Sequence, residues 1–414
     1  MSLHSASIPL VSTIFGVTYL ALALGKIPGL RIDRAGIALV GAATMLAAGV
    51  LSMHDAAGAV DYKTIVLLFG MMVVVAYLRL AGFFALATEQ IAARFSGPFT
   101  LLAMTIVLSG VLSAFLVNDV VCVALTPLVL HLCERLKRPP IPYLVGLATA
   151  SNIGSVATIT GNPQNIIIGS LSQISYLRFA ARLAPVAVIG LALNFIVVAL
   201  VYRKVLKRAR EACPNGDEGL KPRVHRGLLI KSVVVTLVTV GLFFAGKPIA
   251  LVALAAAGVL MLGRVRPDKV YGAVDWPLLV MFVGLFVVVH GFEVNVVHTW
   301  GLERWHALLE SPVVLVSGLS VVLSNLVSNV PAVLLFKPLM EVMPQKELAW
   351  LALAMSSTLA GNLTVLGSVA NLIVVENARR AGTELGFVEY LKVGVPLTVI
   401  TTLVGVAWLS LTHY

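Results

Sequence analysis

Few residues of this chain carry charge. Asp, Glu, Lys and Arg make up 12% of its 414 residues, against the ~25% usual in soluble domains. That scarcity excludes a soluble globular protein of this size. Acids are the scarcer sign, 19 against 30 Lys and Arg. The net charge of +11 does not mark a nucleic-acid partner, because the basic residues cluster in short loops between apolar runs. Cysteine is almost missing. Cys122, Cys133 and Cys213 lie far apart and form no CxxC pair, so neither a disulfide framework nor a zinc site is expected. There is no HExxH, no GxSxG, no Walker loop, and no pair of intramembrane acids set up for general acid–base work. The chain is therefore not expected to be an enzyme, and no cofactor is expected beyond Na+ or H+ as a coupling ion. ATP-driven transport by this chain alone is unsupported, while a separate soluble ATPase partner stays open. Met1–Pro9 lacks a basic n-region, so no cleavable signal peptide is expected.

What the chain does have is apolar length: 59% of its residues are hydrophobic. Apolar runs near or above the spanning length recur from end to end. They predict spans near 8–25, 33–52, 63–80, 143–170 and 185–202, then near 228–246, 249–263, 276–292, 348–376 and 393–411. Between the third and fourth run of each half lies an extra stretch, about 98–130 and about 312–340. Each suits two half-helices around a polar tip, a re-entrant hairpin that enters and leaves on one side. The expected fold is an all-α polytopic membrane protein of two inverted repeats. Each repeat has about five transmembrane helices plus one re-entrant hairpin, with discontinuous helices at about 143–170 and 348–376. The first repeat covers 1–202, a basic cytoplasmic linker 203–226, and the second repeat 227–414.

Orientation follows from Lys and Arg. Lys26, Arg31 and Arg34 fall in one loop, and Arg135, Lys137 and Arg138 in the next on the same side. Eight basic residues occupy 203–226, and Arg264, Arg266, Lys269, Arg379 and Arg380 join them. This side is read as cytoplasmic, with both termini external, in a prokaryotic inner membrane. Five spans is an odd number, so the second half starts on the opposite side. The linker's charge run, around CPNGDEG, suits anionic membrane lipid.

The two halves repeat each other. VLSAFLVNDVVCVALTPL (Val111–Leu128) returns without a gap as VLSNLVSNVPAVLLFKPL (Val322–Leu339), aligning Ser113 with Ser324, Asn118 with Asn329 and Pro127 with Pro338. VDYKTIVLLFG (Val60–Gly70) resembles VDWPLLVMFVG (Val274–Gly284), and Tyr176 and Pro185 match Phe387 and Pro396. Repeated polar interruptions in both halves point to a transporter with its site where the copies meet.

The first hairpin tip carries Asn118 and Asp119, the second Ser328 and Asn329. A carboxylate at membrane depth is a functional candidate. Asp119 could bind sodium or carry a proton; the structural alternative is a carboxylate satisfied at a half-helix N-terminus. Next come the broken helices. Asn152, Thr158, Gly161, Asn162 and Asn165 in the first face Thr364, Gly367, Ser368 and Asn371 in the second. Gly161-Asn162-Pro163 interrupts a helix inside an apolar run. Breaking a helix in the bilayer frees backbone groups, tolerable where they line a cavity or bind something. Freed carbonyls suit a small cation, and freed N–H groups suit an anion or a hydroxyl-bearing solute. The alternative is a kinked helix packed through small residues. Lys337 takes the position of Thr126 and could attract an anion, snorkel to the interface, or neutralise Asp119. Cys122, three residues after Asp119, could touch a soft substrate or be a small buried residue. His290, Glu293 and His298 suggest an interfacial cluster on the external side.

At these motifs the chain resembles the ion-transporter superfamily of arsenite permeases, divalent anion:sodium symporters and citrate carriers. Val117-Asn118-Asp119 and Gly161-Asn162-Pro163-Gln164-Asn165 carry the likeness in the first half. Val327-Ser328-Asn329 and Gly367-Ser368-Val369-Ala370-Asn371 carry it in the second. Asp119 stands where sodium-coupled dicarboxylate carriers have Thr, and Val369 where a proline is expected; the Asn-Asp tip looks more like the arsenite-permease branch. The resemblance implies a scaffold part, a moving part, a homodimer and elevator-like alternating access. It also implies a small inorganic or carboxylic anion, or arsenite, held with a coupling ion between hairpin tips and broken helices. The reading that follows is a secondary active transporter of an oxyanion or metalloid, with arsenite or antimonite efflux by proton antiport foremost. Sodium- or proton-coupled uptake of an inorganic anion or dicarboxylate, sodium/proton antiport, and a channel remain as alternatives.

Overall fold

A computed structural model describes residues 8–24, 31–95, 97–211, 224–299 and 311–412. Cys213, Lys26, most of the central linker and the CPNGDEG stretch lie outside the described residues, as does the side chain of His298. Helices are the only regular elements among the described residues. Six of these helices are long and apolar enough to cross a membrane. The chain is an integral membrane protein.

The first half runs α1 (Ile8–Leu24), α2 (Arg34–Ala47), α3 (Met53–Ala59), α4 (Tyr62–Ala81) and α5 (Phe83–Arg94). The hairpin pair α6 (Pro98–Phe115) and α7 (Asn118–Arg135) follows, then α8 (Ile141–Ser155), a single 3₁₀ turn at Ile159–Gly161, α9 (Pro163–Ser172) and α10 (Tyr176–Val201). After α11 (Arg203–Glu211) the order returns: α12 (Arg226–Phe244), α13 (Ile249–Met261), α14 (Pro267–Tyr271) and α15 (Trp276–Asn295). The second hairpin pair is α16 (Pro312–Val327) and α17 (Asn329–Val342). Last come α18 (Lys346–Ala360), a second 3₁₀ turn at Val365–Gly367, α19 (Val369–Arg380) and α20 (Phe387–Leu411).

The helix starts follow from local chemistry. Asp61 and Asp275, matched in the sequence repeat, cap α4 and α15 by accepting from Lys63 N at 3.1 Å and Leu278 N at 3.0 Å. Asp33 caps α2, and Ser52 with Asp55 forms a capping box on α3. Pro98 and Pro312 open the two hairpins, where the absent N–H is no loss. Two expectations need adjusting. α10 and α20 begin about nine residues before Pro185 and Pro396, which lie inside them; a bilayer helix tolerates an interior proline when neighbours serve the freed backbone groups. The stretches 53–62 and 203–226, read as loops, each contain a helix, α3 and α11.

The helices sort into two packed groups. In one, α2 packs on α15 and α13 packs on α4, with α1 and α12 beside them. Each half thus lends a helix to the other. A Cβ on Gly70 would come within 2.7 Å of the Ala253 backbone, and one on Gly284 within 2.6 Å of Ala38. These matched glycines let two helix pairs approach closely. In the other group, α6 packs on α8, α16 on α18, α7 on α19, and α10 on α20. The hairpins and broken helices all belong to this second group.

Candidate transport site

Both hairpin turns and both helix breaks meet at the junction of the two halves. At the first tip the chain turns through Leu116 and Val117 and restarts at Asn118; at the second it turns through Ser328 alone. Ser328 has φ 77° and ψ 157°, a conformation that L residues avoid. Such strain persists only where the surroundings fix it, here a tip squeezed between half-helices.

The breaks are held by the two asparagines matched in the repeat. Unwinding after α8 releases the carbonyls of Ser155 and Thr158; Asn165 Nδ2 donates to both, at 3.0 and 3.1 Å. After α18, Asn371 Nδ2 donates to Gly361 O and Thr364 O at 2.7 and 3.1 Å. These four carbonyls are therefore satisfied inside the protein rather than turned toward a cation. Gly161 and Gly367 lie against the same turns. A Cβ at 161 would meet Ser155 O at 2.2 Å, and one at 367 would meet Gly361 O at 3.0 Å. Thr158 is a strut, its hydroxyl donating to Ala114 O on the hairpin. Thr364 makes no matching side-chain bond among the described residues.

The halves then cross-link. Asn152 Nδ2 donates to Asn371 Oδ1 at 3.1 Å and to Asn362 Oδ1 at 2.9 Å. In the mirrored position, Thr358 Oγ1 donates to Asn165 Oδ1 at 3.4 Å. Ser368 Oγ donates to Asn152 Oδ1 at 3.0 Å, while Asn162 Nδ2 donates to Thr358 Oγ1 at 3.1 Å. Asn118 Nδ2 completes the chain by donating to Asn152 Oδ1 at 3.0 Å. Every amide orientation in this chain follows from the first step. Gly361 and Thr364 offer only carbonyls, so Asn371 must present its nitrogen to them and its oxygen to Asn152. Asn152 then turns its nitrogen to Asn371 and its oxygen to Asn118. Asn118 is left with its own oxygen pointing away, buried and without a partner. Asn329 Oδ1 is likewise buried and unpartnered.

A cavity of about 560 Å³ opens at these tips. Asn118, Asp119, Ser328, Asn329 and Ser368 line its inner end, together with Gln164. It extends to the end of the bundle where α1 finishes and α2 and α15 begin, at Asp33, Arg34 and Asp275. Three carboxylates thus face one guanidinium on its wall. Asp119 is half-buried, and its carboxyl lies by the Ala370 backbone N–H in the first turn of α19. No group of three His, Cys, Asp or Glu side chains could hold a metal ion among the described residues.

Of the residues singled out from sequence, five line the cavity, and Asn152, Thr158, Gly161, Asn162, Asn165, Thr364, Gly367 and Asn371 stand behind it. Two do neither. Cys122 is buried between α7 and α8, with Sγ 3.0 Å from Ser151 Oγ. Lys337 does not reach Asp119: its Nζ pairs with Glu293 of α15 at 2.7 Å, because the hairpin's second arm carries it away from the tip. Sequence reasoning missed Asp33 and Asp275, while Gln164, Thr358 and Asn362 lay inside the paired motifs without being singled out. Asp275 had a signal, since VDWP repeats VDYK; its matched Asp61 is absent from this cavity's lining.

A family model described as citrate transporter matches residues 19–360. The silicon efflux transporter LSI3 of Oryza sativa subsp. japonica is 32% identical, over 97% of this chain and 98% of its own. A transporter named arsB from Dictyostelium discoideum is 27% identical, over 91% and 87%. Among solved structures, the crystal structure of the Alcanivorax borkumensis YdaH transporter superposes with a TM-score of 0.60 at 17% identity, covering 98% of this chain and 96% of that one.

Proposed function

The chain belongs to the citrate transporter family, and we propose that it expels a neutral, hydroxylated metalloid acid, arsenous acid foremost, in exchange for protons. The observation that carries this is the make-up of the cavity. Its inner end holds two buried acceptors without partners, Asn118 Oδ1 and Asn329 Oδ1, with Asp119 on the same wall. A buried acceptor left unpaired costs about 1–3 kcal/mol, and a ligand that donates hydroxyl protons removes that cost. An anion is an acceptor itself and finds Asp33, Asp119 and Asp275 against Arg34 alone. Undissociated arsenous or silicic acid is uncharged and rich in O–H donors. The names of two relatives, a silicon efflux transporter and arsB, fit the same chemistry.

Asp119 is the coupling group in this reading. It sits beside the solute at the only acidic tip, so a proton on it and a solute beneath it compete for the same oxygens. Taken as inverted repeats, the two halves would give alternating access: the first hairpin opens to the basic side, taken as cytoplasmic, and the second to the external side, with both termini external. The cavity extends toward Asp33, Arg34 and Asp275, on the basic side. The described conformation is then inward-open, and the hairpin-bearing group is the part that moves against the other. One observation favours a second reading. The family's own description and Arg34 on the cavity wall suit a carboxylic anion, which would enter this acid-lined cavity with a cation. Thermal unfolding of the purified protein discriminates the two. Arsenous or silicic acid raises the midpoint and citrate does not, if the first reading holds. Protection by citrate alone overturns it.

A further inference from the structure

At the end of the bundle that carries the basic loops, a separate cavity of about 580 Å³ lies between the turn into α8, the α10–α11 junction and the start of α20. α10 ends at Val201, and the chain enters α11 through Tyr202, which is 5% exposed; Leu206, one turn on, is fully buried. Residues four apart share a helix face, so these two anchors hold α11 on the bundle, where it packs on α6. Arg203 and Lys204 are thereby turned outward onto the cavity wall. Glu389 is the one acid on that wall, and it pairs with Lys392, also on it. With Glu389 taken up by Lys392, Arg203 and Lys204 are left as the net positive charge of the wall.

The apolar surface beside the cavity continues into the membrane. Leu200 lines the cavity and is 65% exposed. Ile196 and Ile189, 48% and 38% exposed, extend the same face of α10 toward the bilayer centre. The spacing of four and seven residues makes one stripe on the helix. A charged recess at the interface, continued by an apolar stripe along a spanning helix, has the shape of a lipid: headgroup at one end, acyl chain along the other.

We propose that this cavity is a binding site for the phosphodiester headgroup of an anionic phospholipid. Arg203 offers a planar fork that matches two phosphate oxygens, and Lys204 adds a point charge. A choline or ethanolamine headgroup would bring its own cation against Arg203 and Lys204, so the site selects headgroups without an amine. Basic recesses on the cytoplasmic side of transport proteins bind lipid by this chemistry. The site is distinct from the transport cavity and independent of which solute passes through that cavity.

The test uses the full chain in neutral detergent, with thermal unfolding as the readout. Dioleoylphosphatidylglycerol is expected to raise the midpoint by several degrees, and dioleoylphosphatidylcholine and inorganic phosphate to leave it unchanged. The Arg203→Gln/Lys204→Gln double variant is expected to unfold at the parent's midpoint without lipid and to lose the phosphatidylglycerol shift. Lys207→Gln/Arg208→Gln, on the same helix but off the cavity wall, is expected to keep it. An equal shift with phosphatidylcholine, an equal shift with inorganic phosphate, or an equal loss in the Lys207/Arg208 variant would each overturn the proposal.

Discussion

Asn118 keeps its oxygen unpartnered because the backbone carbonyls of Gly361 and Thr364, two links away, leave the intervening amides no other orientation. That dependence makes Asn371 a structural residue with a functional consequence. Asn371→Asp keeps the shape but replaces the donor with acceptors that face two carbonyls. Each stranded carbonyl costs about 1–3 kcal/mol, so the variant is expected to unfold several degrees below the parent and below Asn118→Asp. An Asn371→Asp protein as stable as the parent contradicts the chain of amides. The two break glycines make a sharper contrast. Gly161→Ala puts a methyl 2.2 Å from a carbonyl oxygen, whereas at Gly367 the nearest atoms, Asn325 Oδ1 and Gly361 O, are 2.9 and 3.0 Å away. Expression and folding should collapse for the first and survive for the second, as gel filtration of the two variants would reveal. The residue types were legible from sequence, since Asn165 matches Asn371 and Gly161 matches Gly367. Their division of labour was not. Nothing in a sequence says which polar atoms of a broken helix are turned inward to satisfy it and which are left for a ligand.

The second hairpin is tied to the other helix group more firmly than its matched position in the first. Lys337 pairs with Glu293 of α15 at 2.7 Å, and Tyr19 of α1 donates to Pro331 O at 3.2 Å, just past the tip. Phe15 and Phe292 stack alongside with ring centroids 3.8 Å apart. In the first hairpin the position of Lys337 holds Thr126, which bonds only to Cys122 O in its own helix. These ties close the proposed external side and must part before the cavity can open there. Glu293→Gln strands the Lys337 ammonium and is expected to cost about 1–3 kcal/mol, while Glu293→Met/Lys337→Met recovers most of it. A Ser328→Cys tip should also react faster with a membrane-impermeant maleimide from the external side in the double variant than in the parent. Unchanged labelling would mean that the pair is not part of the closure. The hairpins themselves were legible, because Pro98 and Pro312 open them and Asn118 and Asn329 restart them. The partner of Lys337 was not: Glu293 lies 44 residues away, and sequence periodicity carries no information on which of two neighbouring acids a long side chain will reach.

At the scale of the molecule, the repeat in the sequence corresponds to a repeat in element order, from α4 and α15 through to α10 and α20. The exchange of α2 and α13 between the halves was invisible in the chain, because Gly70 and Gly284 become contact glycines only once their partners are known. The orientation of the whole rests on the basic loops. In a Cys213→Ser background, where Cys122 and Cys133 are buried, Met53→Cys is expected to label from outside intact cells and Arg266→Cys only after permeabilisation; the reverse pattern inverts the assignment. The central claim concerns what passes through the cavity and what drives it. Its most direct measurement is flux in everted membrane vesicles with an acid lumen, comparing the parent with Asp119→Asn, a neutral isostere at the one acidic tip. The parent is expected to accumulate arsenous acid, with accumulation collapsing when the pH gradient is dissipated. Asp119→Asn should lose the gradient-driven accumulation by at least tenfold while still letting the solute equilibrate. Full proton-driven accumulation by Asp119→Asn, or citrate accumulation by a parent that leaves arsenous acid untouched, contradicts it.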